Sequence, residues 1–304
     1  MTSGPAAHRA ALDHVLAVIA AQPWSEALVL RGSMAMLAWA GAAARPPADL
    51  DFVVRPSLAV PVDPLDPYPY LPSPAAVQQW PEALDGAGAY EFWREEELET
   101  GGLRVAVPPE GLEWVIEPEE EQPPYRDLLH LLTEHPAPGV RFEPGSAELA
   151  DWDYDYVFGP STGPPSVRLL IPYEADDGHR SRVQLDFAAD EELPEPPVDA
   201  LVPRADGRGS TLIPAAGREL SLAWKLLWLR TDAAAEDVVR TKDLYDAVLL
   251  AEHPATRMTP CLLRRVLGQE PLDTAAVRGW RADGPLPGDP RAWTERLARV
   301  LEGW

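Results

Sequence analysis

Apolar and polar positions in the first part of the chain alternate between helical and extended patterns. Apolar residues recur at helical spacing over residues 6–21, and residues 26–30 form a short apolar run typical of a strand. This run ends at the turn Arg31-Gly32-Ser33, whose serine suits the start of a helix over residues 34–40. Residues 49–54 alternate again and end in β-branched side chains. The pattern therefore predicts helix, strand, turn, helix and strand in that order.

The rest of the chain divides into a proline-rich segment, a few strand candidates and a helical end. Eight prolines between Pro56 and Pro81 indicate a surface excursion, and we predict an insertion over about residues 56–165. The further predicted elements are strands 103–107 and 112–116, helix 125–134, strands 167–171 and 182–187, and helices 218–231, 236–252, 260–267, 273–282 and 291–302. Residues 188–217 give only a link rich in proline and acid. We therefore predict one domain over residues 1–215 with the insertion inside it, and a helical domain over residues 216–304.

Charge changes this picture for possible partners. The 304 residues carry a formal net charge of −23, and residues 82–155 alone hold 20 acidic residues against four arginines. Such a surface repels polyanions, which argues against binding to long DNA but leaves a short RNA end or a basic protein as candidate partners. The single cysteine, Cys261, excludes an internal disulfide, and no apolar run reaches the length of a membrane span. We expect a cytoplasmic protein that does not enter the membrane.

Asp49 and Asp51 are the first candidates for chemistry. Side chains separated by one residue on a strand point to the same face, so these two carboxylates converge. Mg²⁺ prefers one or two protein carboxylates and completes its shell with water and substrate phosphates. A solvated strand end without metal is the alternative, and the pair alone does not decide between the two.

The turn before this pair suits an anion. Gly32 and Ser33 precede a predicted helix, whose amino end exposes backbone N–H groups to a phosphate. A Gly-Ser pair is also a common helix cap with no ligand, so this motif gains weight only from its neighbours.

Lys225 lies in a predicted helix that is apolar nearly all the way round. An ammonium group there requires an anion or a route to water. The chain has only two lysines, Lys225 and Lys242, against 24 arginines, which indicates a requirement for a compact charge at these positions. We predict that Lys225 binds phosphate, and the alternative is a lysine whose stem covers apolar surface.

A second acidic motif follows on the next predicted helix. Asp243 and Asp246 are three residues apart and share one face of that helix, next to its apolar stripe. Lys242 and Asp246 stand at the spacing of a surface ion pair, which is the simplest interpretation of these two residues. Arg240 or Lys242 is suited to orienting the site.

These two regions, taken in order, resemble the AbiEii toxin group of the polymerase-β-like nucleotidyltransferase superfamily. The matching features are the strand, the Arg31-Gly32-Ser33 turn, Arg45, Asp49-Leu50-Asp51 and later Glu219, Lys225-Leu226 and Lys242-Asp243. The resemblance implies an α+β fold in which helices flank a mixed sheet. It covers roughly residues 26–54 and 180–250, and Ser33 stands where a second glycine is common.

The resemblance also implies roles for the site residues. Gly32, Ser33, Arg45 and Lys225 would bind a nucleoside triphosphate, and Lys225 and Asp243 would join Asp49 and Asp51 in catalysis. Two Mg²⁺ ions would be held by the aspartate pair and a third carboxylate. Asp186, in the strand 182–187, is the position we match to that third carboxylate, with Asp155 and Asp190 as rivals.

The expected reaction is transfer of a nucleoside monophosphate from the triphosphate to an acceptor hydroxyl. The resemblance implies a tRNA 3′ end or a protein hydroxyl as acceptor, and an antitoxin protein as partner of a toxin. The alternative is a non-catalytic module that binds nucleotide or protein and retains the fold. Metal-dependent nucleotide binding discriminates between the two functions.

Overall fold

The computed structural model describes residues 4–54, 77–79, 90–94, 104–107, 125–152, 166–188, 191, 193–268 and 272–304. Two compact units divide the chain. One unit combines Met1–Val54 with Leu128–Trp304, and the other is Arg55–Asp127. The predicted site residues that the structure describes all belong to the first unit, and the boundary predicted at residue 215 stays a prediction.

An eight-stranded mixed sheet forms the centre of the first unit. Its strands are β1 (Leu28–Arg31), β2 (Leu50–Val54), β6 (Val140–Phe142), β7 (Glu148–Trp152), β8 (Ser166–Ala175), β9 (Arg180–Ala188), β10 (Val198–Pro203) and β11 (Ser210–Ala215). The strand order is β10-β11-β1-β2-β9-β8-β6, and β7 also pairs with β8. The pairs β1–β11 and β2–β9 are parallel, and the others are antiparallel. In the second unit, β3 (Val77–Gln79), β4 (Tyr90–Arg94) and β5 (Arg104–Val107) form an antiparallel sheet.

Helices flank the large sheet. They are α1 (Gly4–Ala20), α2 (Gly32–Ala40), α3 (Tyr125–Glu134), α4 (Arg218–Glu236), α5 (Thr241–Glu252), α6 (Pro260–Leu267), α7 (Thr274–Gly279) and α8 (Pro290–Leu301). The α+β fold with a mixed sheet and flanking helices, which the sequence predicts, is confirmed. No helix among the residues that the structure describes is long and apolar enough to cross a membrane.

The core explains why α4 lies against the sheet. Val29 of β1 and Val53 of β2 pack with Leu220, Ala223 and Trp224 of α4 in one buried cluster. On the other side of α4, leucines pack with α5 and α8 in a second cluster that also includes Met36 of α2. Burial on two sides accounts for the nearly uninterrupted apolar sequence of this helix. It also fixes the helix that carries Lys225 directly beside the strands that carry the aspartates.

Three predictions about the elements require correction or lie outside the described residues. The prediction that residues 188–217 are only a link is wrong, because β10 and β11 form a hairpin there. Its apolar pattern is weak because Leu201 and Leu212, which face each other across the two strands, are exposed. The carboxyl part is not all-helical, since Val239–Arg240 (β12) pairs with Ala282–Asp283 (β13) and delays the start of α5. The predicted strand over residues 112–116 lies outside the described residues.

Candidate active site

Strand register aligns Asp51 with Asp186. The parallel pair β2–β9 sets Asp51 opposite Asp186, and the antiparallel pair β1–β2 sets Arg31 opposite Asp51. Residues opposite each other on neighbouring strands project from the same face of a sheet. The predicted third carboxylate therefore stands next to the aspartate pair despite its distance along the chain. Both rivals, Asp155 and Asp190, lie outside the described residues.

Asp49 and Asp51 form a close pair of like charges. Burial and the neighbouring Asp49 carboxylate raise the pKa of Asp51 to about 7, with a further contribution from Asp186, while Arg31 and Lys225 act in the opposite direction. Two acids that share a partly buried position resist simultaneous ionisation. A cation between them removes this cost, so the pair is suited to binding metal.

Gly32 lies against the carboxylate of Asp51. Its φ of +69° belongs to the left-handed region, and a Cβ at this position would stand 3.0 Å from the Asp51 Cγ and overlap the Oδ2 atom. A side chain at residue 32 is thus excluded both by the backbone conformation and by the aspartate. The glycine allows α2 to begin directly beside the acidic pair.

Ser33 connects the start of α2 to the same pair. Its Oγ donates a hydrogen bond to the Asp49 Oδ1 at 3.1 Å, and the side chain is buried. The sequence predicts a helix cap here, but the helix begins at Gly32 and the hydroxyl serves Asp49 instead. The hydroxyl therefore orients the Asp49 carboxylate, which explains why a serine follows the glycine at this turn.

Asp186 is firmly held by two neighbours. Arg168 on β8 donates from Nε to Oδ1 at 2.7 Å and from Nη2 to Oδ2 at 2.9 Å, and Gln184 Nε2 donates to Oδ2 at 2.9 Å. The hydrogen bond with Asp186 is the main cause that raises the pKa of Arg168. Asp186 is buried, so the guanidinium compensates a charge that would be costly alone.

Lys225 also has a defined anionic partner. Its Nζ donates to the Asp243 Oδ1 at 2.6 Å and lies 3.2 Å from the Asp246 Oδ2. Burial lowers the pKa of Lys225, but the two carboxylates outweigh it and the pKa is raised overall. All three side chains are buried, so Lys225 does not simply cover apolar surface.

Arg45 completes this network from the loop after α2. Its Nε lies 3.2 Å from both carboxylate oxygens of Asp246, which is fully buried. The helical spacing predicts a surface ion pair between Lys242 and Asp246, and this prediction is wrong because Asp246 is buried. Helical spacing reveals local neighbours only, and Asp246 instead joins two cations from distant parts of the chain.

Arg31 lines the same site, although the sequence analysis did not assign it a role. It is buried, forms an ion pair with Glu191, and its guanidinium carbon lies 5.7 Å and 5.8 Å from the ring centres of Trp224 and Trp228. Lys225 Nζ lies 5.0 Å from the Trp228 ring. The two tryptophans, which pack in the core cluster between α4 and the sheet, thus also contact site cations. Adjacency to Gly32 was the signal available in the sequence.

These residues surround one cavity of about 910 Å³. Its lining includes every predicted site residue: Gly32, Ser33, Arg45, Asp49, Asp51, Asp186, Lys225 and Asp243. It also includes Arg31, Arg168, Arg240, Lys242 and Arg265. The volume is in the range of sites that bind small molecules and cofactors. Acidic residues meet a group of cations here, an arrangement that suits a metal-bound polyphosphate.

The donors fit a magnesium ion held partly by its substrate. Among the described ranges, no three Asp, Glu, His or Cys side chains form a ready metal cage. Two carboxylates on one face are nevertheless sufficient for Mg²⁺ when phosphate oxygens supply further ligands. Because burial and Asp49 raise the pKa of Asp51, a divalent cation bound here would relieve the repulsion between the two carboxylates.

Two comparisons with known proteins bear on the family of this chain. No curated protein sequence matches the chain. A family model described as "Nucleotidyl transferase AbiEii toxin, Type IV TA system" matches residues 14–301, nearly the full length. The match spans both the aspartate pair and the lysine helix, so the chain belongs to the AbiEii family of nucleotidyl transferase toxins from type IV toxin–antitoxin systems.

Proposed function

We propose that the protein transfers a nucleoside monophosphate from a nucleoside triphosphate to an acceptor hydroxyl, with Mg²⁺ held by Asp49 and Asp51. The observation that carries this proposal is the pair of like charges on one face of the cavity, with Asp51 at a pKa of about 7. When bound, Mg²⁺ neutralises charge on the triphosphate and favours departure of pyrophosphate. A second metal ion, which the sequence analysis expects, stays a prediction.

The chain's own residues supply binding and orientation. Lys225 and Arg45 place positive charge on the cavity wall, and Asp243 and Asp246 hold these two side chains in position. Arg31 adds a third positive charge beside Gly32. A triphosphate next to the aspartates gains from all three cations. Preorganised cations of this kind stabilise charge without rearrangement during the reaction.

The reaction exchanges the phosphoanhydride bond between the α- and β-phosphates for a phosphodiester bond to the acceptor. The acceptor oxygen forms a bond to the α-phosphorus, the bond from that phosphorus to the bridging oxygen of the β-phosphate breaks, and pyrophosphate leaves. The acceptor proton passes to a carboxylate at the site, for which Asp243 is our candidate because it lines the cavity and is held by Lys225.

The family and the charge of the cavity lining support our choice of acceptor and partner. Arg240, Lys242 and Arg265 also line the cavity, and they offer a local basic surface on an otherwise acidic chain. Such a surface favours a short RNA end, with a tRNA 3′ end as the first candidate and a protein hydroxyl as the second. The family's toxin–antitoxin assignment supports an antitoxin as partner.

The decisive experiment is a transfer assay. Each of the four nucleoside triphosphates, labelled at the α-phosphate, is incubated with Mg²⁺, purified protein and either total tRNA or cell extract. We expect labelled acceptor with the wild type, none with Asp49→Asn or Asp51→Asn, and normal labelling with Asp199→Asn, which changes an exposed aspartate of β10.

Two outcomes would reject the proposal. Equal labelling by the wild type and both site variants would show that the aspartates are not needed. Failure of the wild type to bind Mg²⁺ and any nucleotide, measured by calorimetry, would favour the non-catalytic module that retains the fold.

A further inference from the structure

Four residues form a single row across the middle of the large sheet. The register pairs Arg31 with Asp51, Asp51 with Asp186, and Asp186 with Arg168. The row crosses β1, β2, β9 and β8, and in-register neighbours project from the same face. Two carboxylates are therefore enclosed between two guanidinium groups.

The two carboxylates of the row have different surroundings. Both oxygens of Asp186 accept hydrogen bonds from Arg168, and one of them also accepts from Gln184. A bidentate arginine and carboxylate pair combines charge with fixed geometry. Asp51 has no cation within ion-pair distance among the residues described, and its nearest arginine in the row, Arg31, pairs with Glu191.

Charge balance follows from these contacts. Arg168 holds both oxygens of Asp186 and Arg31 pairs with Glu191, whereas Asp49 and Asp51 are the two carboxylates on the cavity wall that no ion pair among the described residues neutralises. One divalent cation matches this charge. A metal ion on Asp186 would stand directly beside the Arg168 guanidinium and compete with it for the same oxygens, which is unfavourable for like charges.

We infer that Asp186 is not a metal ligand in this protein but the positioning residue that holds Arg168 beside the aspartate pair, where Arg168 contacts the triphosphate. The inference rests on the proposed function and deepens it. Arg168 lines the cavity, its side chain keeps 31% exposure, and its charge acts on both Asp49 and Asp51. A guanidinium with this orientation meets phosphates bound at the pair.

The inference separates metal binding from nucleotide binding. The test measures Mn²⁺ binding by electron paramagnetic resonance, and binding of a non-hydrolysable nucleoside triphosphate with Mg²⁺ by calorimetry. The variants are Asp186→Asn, Arg168→Gln, both together, and Asp51→Asn. The matched control is Arg182→Gln, which removes an exposed arginine from β9, the strand that carries Asp186. Circular dichroism verifies that each variant is folded.

We expect Asp186→Asn to bind Mn²⁺ within about threefold of the wild type, whereas Asp51→Asn loses about 100-fold. Asp186→Asn and Arg168→Gln should each weaken nucleotide binding by about 10- to 100-fold, the loss expected for a charged hydrogen bond. The double variant should be no weaker than Arg168→Gln alone, because both changes remove the same contact. Arg168→Lys should recover part of the affinity, since it restores charge without the bidentate geometry.

Loss of Mn²⁺ by Asp186→Asn to the extent of Asp51→Asn would overturn the inference, and so would unchanged nucleotide affinity in Arg168→Gln. Either result can occur while the wild type still transfers nucleotide, in which case the proposed function stands. A wild type that binds Mn²⁺ and nucleotide without transferring label fails the proposed function but leaves the binding comparison decisive.

Discussion

Replacement of Asp51 by Asn should make the metal-free protein more stable while it abolishes the site. In the folded protein the Asp51 carboxyl has a pKa of about 7, against 3.8 as its ordinary value, because of burial and the Asp49 carboxylate. An acid whose pKa is raised by folding contributes its full stability at a pH below the pKa of the unfolded chain. This stability is lost as the pH rises through the folded-state pKa of about 7. Asn keeps the shape of the protonated acid and does not ionise.

The magnitude follows from the two pKa values. At about 1.4 kcal/mol for each pH unit between them, ionised Asp51 costs the fold about 4 kcal/mol above neutral pH. The side chain is only partly buried, and water screens part of this cost, so we expect a gain of about 2 kcal/mol for Asp51→Asn at about pH 8. In a chain of this length the gain corresponds to a melting temperature higher by about 4 °C.

The assay is thermal unfolding without metal, from about pH 5 to about pH 8. The stability gained by Asp51→Asn over the wild type should grow through this range and level off above about pH 7, where Asp51 is already ionised. Asp199→Asn, at an exposed position, should show no such trend. Added Mg²⁺ should stabilise the wild type and Asp199→Asn, which both keep the aspartate pair, but not Asp51→Asn. A difference that does not change with pH, or a variant less stable than the wild type at about pH 8, would refute this account of the aspartate pair.

Two further substitutions test the surroundings of the pair. Gly32→Ala should cost roughly 1–3 kcal/mol and lower Mn²⁺ affinity at least tenfold, because its Cβ displaces the Asp51 carboxylate. Gly41→Ala shares the positive φ but has open space around it, so Mn²⁺ affinity should stay normal, and equal losses in both variants would contradict the steric explanation. Lys225→Met should cost roughly 3–5 kcal/mol in urea unfolding, because Asp243 and Asp246 stay buried without their lysine. Adding Asp243→Asn should recover part of this loss, and a double variant no more stable than Lys225→Met would argue against the buried-charge explanation.

The sequence predicts those parts of the site that local spacing determines. Asp49 and Asp51 are two residues apart at the start of a strand, and Gly32-Ser33 marks the start of a helix, so both motifs are visible without any knowledge of the fold. The apolar run around Lys225 similarly indicates a buried helix that needs an anion. Periodicity and composition are sufficient at these positions because the neighbours involved are near in sequence.

The contacts that the sequence analysis missed join separate elements. Asp246 pairs with Arg45 and Lys225, and no helical spacing indicates either partner. Arg168 was within reach of prediction, because the turn around Gly178 sets the register of β8 and β9, and that register aligns Arg168 with Asp186. The hairpin of β10 and β11 was missed because exposed leucines obscure its alternation. Tertiary packing, rather than local preference, determines these features.

The row of Arg31, Asp51, Asp186 and Arg168 has a consequence for the order of folding. The contact between Asp51 and Asp186 closes a very long loop and belongs to a parallel strand pair, and such contacts form slowly. The lysine network is completed only when Asp243 and Asp246 of α5 have been synthesised. A chain synthesised only as far as Asp186 therefore lacks Lys225, Asp243 and Asp246, and the complete cavity forms only after α4 and α5 have packed onto the sheet.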